Sequence, residues 1–414
     1  MWGMPGRCSP AMRVQRVAKS ADYVYCWYRA LRWLLRQPEK KLSNLCVPAM
    51  EKSPDKLQYV QDVQYNCDIS DARDHGIYSM CSMILKLRNL YKWEQRIEPW
   101  SEPEPADLLD WVDQKEQYWL GLSERSFRPL TILGKQILPH DLGPVNQALH
   151  QSNLLYGAGH GRSMKAVFFL ADILETRTVE GCTVHILGTE RAKEMASPVA
   201  LVQDGVVVIK KESLRYFFWD QLQEMRSSRK SSIHYFLNHY GLLKDGTLDH
   251  DLFRSDLDFI VDQELDLFIY HEIGETLETS FGNENFQKII NRFPGSVVEF
   301  VCRAVKDSLA DTHPRGLLAS IIRDRKSSSL GLYLGFLDGI RETIFPEIKA
   351  AWRCFEQGGD WGSIEQARST GRETFLSLAR DIMEIGERIG DVPDDRIMQE
   401  FSNRIIKPLG LQAG

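Results

Sequence analysis

The sequence predicts a mainly α-helical fold with a small mixed or antiparallel β-sheet near the middle of the chain, an α+β arrangement. From Asp251 to the C-terminus, apolar residues recur at helical spacing, interrupted by two proline-containing turns. Between Glu180 and Lys211 the chain instead carries β-branched runs, and Asp204-Gly205 between two of them is a turn signal. Hydrophobic residues make up 43% of 414 residues, enough for a sizeable core.

The first 49 residues differ from the rest, being basic and irregular as far as Asp22. Three interpretations compete: a targeting peptide, a membrane-surface helix in which apolar residues such as Trp27 are interleaved with arginines such as Arg29, or an extension outside the fold. The sequence favours the third, a poorly ordered or non-native extension with translation starting at Met50. Residues 50–414 are then expected to form a single mainly helical domain with a β insertion around 180–211.

A dense polar cluster spans Asn66 to His75, ahead of a helix predicted from Ile77 to Trp93. Helix capping and turn formation explain such a cluster, and a ligand-binding loop is the alternative. The stretch Gln64–Ala72, with the pattern Q-x-N-C-D-I-S-D-A, resembles the opening of an uncharacterised bacterial family. That resemblance implies no activity.

Leu142–Tyr156 is predicted to be helical, and a glycine-rich turn then leads into a second helix from Ser163. Gly157, Gly159 and Gly161, with Arg162 beside them, could form a nest for an anion at that helix start. The spacing does not fit a Walker loop. A plain turn into a buried helix is the alternative.

Composition excludes several classes of protein. The net charge of −6 argues against nucleic acid as a partner, because phosphate binding needs a concentrated basic surface. No apolar run reaches the ~18 residues of a membrane span. The eight cysteines contain no C-x-x-C pair, which favours reduced thiols in a cytoplasmic protein.

The segment Asp262–Glu278 is where ligand-type side chains coincide with helical spacing. His271 and Glu275 are four residues apart, so on a helix they share one face, one turn apart. An apolar ridge is predicted beside them, formed by Leu265, Ile269, Ile273 and Leu277. This helix is expected to be central to the fold and to carry the active site.

A catalytic zinc takes three His, Asp or Glu ligands and keeps one position open. His271 and Glu275 supply two ligands, and Glu272 is placed to act as general base. Glu275 replaces the second histidine of an H-E-x-x-H pattern, so zinc is expected with manganese or iron as alternatives. The order of a strand-to-helix segment, this helix and a later helix resembles zincin-type metallohydrolases. That resemblance implies Glu299 as the third ligand, with Asp307 as its substitute.

Three functions follow from this helix. The first is a metal-dependent hydrolase of a peptide or amide bond, with a small-molecule or peptide substrate. The second resembles His-Asp metal phosphohydrolases, with His234 or His239, the His271-Glu272 doublet and Asp311 as ligands. The third is a non-enzymatic helical interaction protein, in which the helix only packs.

Glu299 has an alternative role as a helix cap, since Ser296 and Glu299 fit a capping box. The hydrolase predicts that the Ser296–Asp311 helix packs on the central helix with a carboxylate facing His271.

Overall fold

The computed structural model describes residues 54–224, 231–337 and 339–411. The expected extension over residues 1–49 lies outside these ranges, and the described residues all belong to one compact unit. The helices are α1 (Pro54–Asp74), α2 (Met80–Glu94), α3 (Pro105–Leu120), α4 (Leu142–Leu149), α5 (Lys211–Glu224), α6 (Ser231–His239), α7 (His250–Leu277), α8 (Asn283–Arg292), α9 (Val297–Thr312), α10 (Leu317–Asp324), α11 (Ser327–Phe336), α12 (Gly339–Ile344), α13 (Pro346–Gly358), α14 (Trp361–Glu387) and α15 (Asp394–Phe401). The predicted mainly α fold with a mixed sheet is confirmed.

The main sheet has five strands: β3 (Leu154–His160), β4 (Ala166–Val179), β5 (Cys182–Lys193), β6 (Ala200–Gln203) and β7 (Val206–Lys210). Their order across the sheet is β3-β4-β5-β7-β6. Only the β5–β7 pair is parallel, and the predicted Asp204-Gly205 turn joins β6 to β7. Two short hairpins accompany it, β1 (Leu130–Ile132) with β2 (Lys135–Ile137), and β8 (Leu243–Lys244) with β9 (Thr247–Leu248).

The sheet is larger than predicted, because the region assigned to helices before and after the glycine turn contains β3 and β4. The apolar run of β4 is buried on both faces. Phe168 packs in the cluster beneath α1, while Phe169 belongs to a separate cluster with Leu187 and Val208. A strand covered on both sides gives a continuous apolar run, which periodicity cannot distinguish from a buried helix.

The polar cluster expected to cap a helix lies inside α1 instead. Asn66 bonds both the amide and the carbonyl of Arg128, at 2.8 and 3.0 Å. Cys67 donates to the Phe168 carbonyl at 3.2 Å, and Asp71 accepts from the Met195 amide at 2.8 Å. The Q-x-N-C-D-I-S-D-A stretch therefore fastens α1 to the sheet and to the segment before β1.

Helices α5 to α15 build the second half of the described chain around one large apolar cluster. The central helix α7 contributes Leu257, Ile260, Ile269 and Ile273 to it, and α9 contributes Val298, Val301 and Val305. No described helix is both long and apolar enough to cross a membrane. The five cysteines in the described ranges are free thiols.

Candidate metal centre

The candidate site lies between α7 and α9, which pack against each other as expected. The Asp249 side chain caps α7 by accepting from the amides of Asp251 and Leu252. Ser296 caps α9 in the same way, accepting from the Glu299 amide. The two helices approach closely because Gly274 faces the main chain of Ala310, where no side chain could fit.

Each helix presents one pair of ligand-type side chains spaced by four residues. His271 and Glu275 lie one turn apart on α7, and Asp307 and Asp311 lie one turn apart on α9. Ligand atoms of His271, Glu275 and Asp307 all lie within 4.8 Å of one another. Across residues 54–224, 231–337 and 339–411 no other group of three His, Cys, Asp or Glu side chains meets this criterion.

Asp311 orients the histidine. Its Oδ1 lies 2.7 Å from His271 Nδ1, and its other oxygen accepts a hydrogen bond from Arg341. A carboxylate at Nδ1 keeps a proton on that nitrogen, so Nε2 is the nitrogen that faces a ligand, and a metal would bind it by displacing the Nε2 proton. Burial alone lowers the pKa of His271, but the charge and hydrogen bond of Asp311 raise it to about 10.

Glu272, the predicted general base, is also buried. Only 6% of it is exposed, and no described residue donates a hydrogen bond to its carboxylate. Burial raises its pKa to about 7, with Glu275 and Asp307 adding to the effect and His271 opposing it. A carboxylate with a pKa near neutrality can both accept and return a proton at physiological pH.

The two ligand-type carboxylates differ in their environment. Lys306 donates a hydrogen bond to one oxygen of Glu275, and its charge holds the pKa of Glu275 down despite burial. Burial raises the pKa of Asp307, against the charges of Arg341 and His271. The centre therefore contains the His271 imidazole and the Glu275 carboxylate, which is paired with Lys306. It also contains two acids with raised pKa values, Glu272 and Asp307, whose protonation depends on what binds beside them.

The structure does not bring Glu299 to His271. Glu299 lies eight residues before Asp307 on α9, about 12 Å along the helix axis. Its carboxylate accepts hydrogen bonds from the amides of Gly295 at 2.6 Å and Ser163 at 2.9 Å, and from Arg303 at 2.8 Å. Half of the capping box forms, since Ser296 accepts from the Glu299 amide, while the Glu299 carboxylate bonds the amide of Gly295 rather than that of Ser296.

The predicted nest of glycine amides does not form: Gly157 and Gly159 lie in β3, and the Gly161 amide donates to the Lys165 carbonyl. The amide of Ser163 reaches the Glu299 carboxylate, and Arg303 also donates to the Gly161 carbonyl at 3.1 Å. Gly157 serves strand packing, since it pairs with Phe169 in the β3–β4 register and a Cβ there would overlap the Phe169 ring. No helix starts at Ser163, which lies in a single 3₁₀ turn.

The ligand set of the phosphohydrolase alternative is not assembled. Asp311 does contact His271, but His234 and His239 are exposed on α6 and join no group of three among the described residues. Because Asp311 bonds the His271 ring, it is the hydrogen-bond partner of that histidine and not a metal ligand beside it.

The sequence named Asp311 only as a ligand in the phosphohydrolase alternative, not as the hydrogen-bond partner of His271. The spacing of Asp307 and Asp311, which matches that of His271 and Glu275 on the facing helix, is a signal that could have placed both acids at this site. Lys306 and Arg341 carry no such signal, because any of the 51 lysines and arginines could have faced the carboxylates. Arg341 reaches Asp311 from α12, which lies 30 residues later.

Two family models match the chain, both of one family of unknown function (DUF6866). The model of its N-terminal domain matches residues 58–210, which include the Q-x-N-C-D-I-S-D-A stretch and the sheet. The model of its C-terminal domain matches residues 215–404, which include the candidate metal centre. No curated protein and no solved structure matches the chain. Since the two matches together span most of the sequence, the chain belongs to this family of unknown function (DUF6866) and contains both of its domains.

Proposed function

We propose that the protein is a metal-dependent hydrolase of a peptide or amide bond, with a divalent ion held by His271, Glu275 and Asp307. The observation that carries the proposal is the convergence of these three ligand atoms within 4.8 Å. Ligand bonds of ~2.1 Å in a tetrahedral site place ligand atoms about 3.4 Å apart. Rotation of the Glu275 and Asp307 side chains supplies the remaining approach.

The donor set suits a borderline or hard ion. One imidazole nitrogen and two carboxylates fit zinc, and they fit manganese or iron as alternatives. The oxygen of Glu275 that does not accept from Lys306 remains free to bind an ion. Asp311 supports the proposal, because metal-binding histidines commonly donate their second ring N–H to a carboxylate.

When bound, a divalent ion supplies Lewis-acid chemistry that polarises a carbonyl oxygen and lowers the pKa of water. Glu272 accepts the proton of the attacking water and returns it to the leaving amine, since its pKa of about 7 permits both steps. Asp311 holds the His271 ring in one orientation and one tautomer throughout. Arg341 keeps Asp311 ionised in that role.

The proposal is tested with protein stripped by a chelator, resupplied with zinc, manganese or iron, and assayed against a peptide library. Wild type is expected to hydrolyse peptides only after metal is restored. Glu272→Gln should bind the metal with unchanged affinity and lose turnover by at least about 100-fold. The exposed Glu284→Gln is the matched control and should behave as wild type.

Two results would redirect the assignment. Loss of metal in Glu272→Gln would make that carboxylate a ligand and leave the reaction without its base. A chain that binds no metal and hydrolyses nothing would support the non-enzymatic interaction protein instead.

A further inference from the structure

A cleft of about 550 Å³ opens beside the N-terminal half of α7. Its walls come from the end of α6, from α7 and from the connection between α10 and α11. The residues that line it are His239, Tyr240, Phe259, Gln263, Asp324, Arg325, Lys326, Ser327 and Ser328. Phe259 precedes His271 by twelve residues on α7, about 18 Å along the helix axis. The cleft is therefore separate from the metal centre, and its volume is that of a small-molecule site.

Two aromatic rings form one wall of this cleft. The ring centres of Tyr240 and Phe259 lie 6.3 Å apart, with their planes at 81°. The hydroxyl of Tyr240 donates to the buried carboxylate of Glu264 at 2.6 Å, which fixes the position of its ring. Phe259 is 57% exposed, so a planar group lying against it would remove apolar surface from water. This wall suits an aromatic ligand.

The opposite side of the cleft is positively charged. Lys326 donates to the main-chain carbonyl of Gln263, which is a neutral group. In the described part of the chain no carboxylate lies within ion-pair distance of Arg325 or Lys326. Asp324 is the acid that lines the cleft, and both of its oxygens accept hydrogen bonds from Arg323 at 2.9 Å. The uncompensated charge therefore favours an anionic ligand over a cationic one.

Further hydrogen-bond donors lie at the base of the cleft. Ser327 and Ser328 line it at the start of α11, and Ser328 is only 2% exposed. Their hydroxyl groups can donate to a phosphate or carboxylate oxygen. These donors supplement the charges of Arg325 and Lys326.

We propose that this cleft binds a small aromatic anion, in which a planar ring is joined to a phosphate or carboxylate group. The ring lies against Phe259, and the anionic group is bound by Arg325 and Lys326. The binding requires no metal and none of the ligands of the metal centre. It is therefore a second site, independent of the proposed hydrolase.

The test is calorimetric titration of the full-length protein in the presence of a chelator, with two matched pairs of probes. Adenosine monophosphate is compared with adenosine, and indole-3-acetate with indole-3-acetamide. At least one of the two anions is expected to bind with a Kd below about 1 mM. Its uncharged partner should bind at least about 10-fold more weakly, because it lacks the charge-assisted hydrogen bonds. The anion that binds more tightly identifies phosphate or carboxylate as the recognised group.

Three results of these titrations would overturn the proposal. The first is that neither anion binds. The second is that each uncharged compound binds as tightly as its anion, which would exclude a role for the cations. The third is that inorganic phosphate or acetate alone binds as tightly as the aromatic anions, which would exclude a role for the ring.

Two substitutions place the bound anion in this cleft. Phe259→Ala should weaken its binding by at least about 10-fold, as loss of a stacking ring does. Arg325→Gln should weaken it by a similar factor, since it removes a charge. Both side chains are exposed, so both variants should fold, and circular dichroism checks this.

Matched controls for the two substitutions lie outside the cleft. Leu252→Ala removes another exposed apolar side chain of α7, two turns before Phe259, and Arg380→Gln removes an exposed charge on α14. Both controls should bind the anion as wild type does. Wild-type affinity in folded Phe259→Ala or folded Arg325→Gln would overturn the assignment of the anion to this cleft.

Discussion

Gly274 on α7 lies against the carbonyl of Ala310 on α9, and a Cβ at Gly274 would come closer to that oxygen than real Cβ atoms do. Gly274→Ala must therefore push the two helices apart. The expected result is a loss of about 1–3 kcal/mol in the free energy of unfolding, as for other overpacked sites. Metal affinity should fall as well, because His271 lies on α7 and Asp307 on α9, so separating the two helices separates these two ligands. Urea denaturation and calorimetry measure the two effects.

The matched control for this substitution is Gly358→Ala. Gly358 is the last residue of α13, where an added Cβ meets no atom within 4 Å. Alanine is the better helix former, so stability should stay the same or rise slightly. Equal effects at both glycines would show that the α7–α9 contact is not responsible.

Asp311→Asn is expected to weaken metal binding by about 10- to 100-fold, as loss of a carboxylate behind a metal-binding histidine does. The reason is that Asp311 lies 2.7 Å from His271 Nδ1 and sets the ring orientation. Zinc titration by calorimetry measures the change, and circular dichroism confirms that the variant is folded. The exposed Asp324→Asn serves as control. A folded Asp311→Asn protein with unaltered affinity would exclude the orienting role.

Asp307→Asn and Glu299→Gln distinguish the two candidates for the third ligand. Asp307→Asn should reduce metal affinity with little change in stability, because this carboxylate faces His271 and Glu275. Glu299→Gln should instead cost about 1–3 kcal/mol of stability, since it weakens bonds to Gly295, Ser163 and Arg303. Its metal affinity should remain that of wild type. The opposite pattern would restore Glu299 as the ligand.

Glu194 should make stability fall as pH rises through the neutral range. Burial raises its pKa from 4.5 to about 7 in the folded protein, against the charge of Lys165. Between these two values the folded state binds more protons than the unfolded state, so the free energy of unfolding declines with increasing pH. Glu194→Gln should make the slope less negative by up to about 1.4 kcal/mol per pH unit. Urea denaturation between pH 5 and 8 measures this, with exposed Glu175→Gln as control. Parallel curves for Glu194→Gln and wild type would contradict it.

The helical half of the fold was predictable because its apolar residues follow helical spacing from Asp251 onward. The strands β3 and β4 were not, because Phe168 and Phe169 are buried on opposite faces and alternate with no polar residue. The polar stretch of α1 was misjudged for a related reason. Asn66 and Asp71 suggest capping in sequence, but here they bond the main chain of distant segments.

Within the site, spacing along one helix was enough to select His271 and Glu275 as neighbours. The third acid depends on how α9 docks, and two acids of that helix were compatible with the sequence. Docking at Gly274 brings Asp307 and Asp311 to His271 and leaves Glu299 at the other end of α9. A helix crossing point is a tertiary property, so the sequence alone could not choose between these carboxylates.

Metal binding by the purified full-length protein tests the central claim most directly. Protein stripped by a chelator and titrated with zinc in a calorimeter should bind one ion per chain. His271→Ala should abolish that binding, while His239→Ala, on an exposed position of α6, should leave it intact. Absence of stoichiometric binding of zinc, manganese or iron, or binding that survives in folded His271→Ala, would contradict the metal centre and leave the α7–α9 contact a structural one.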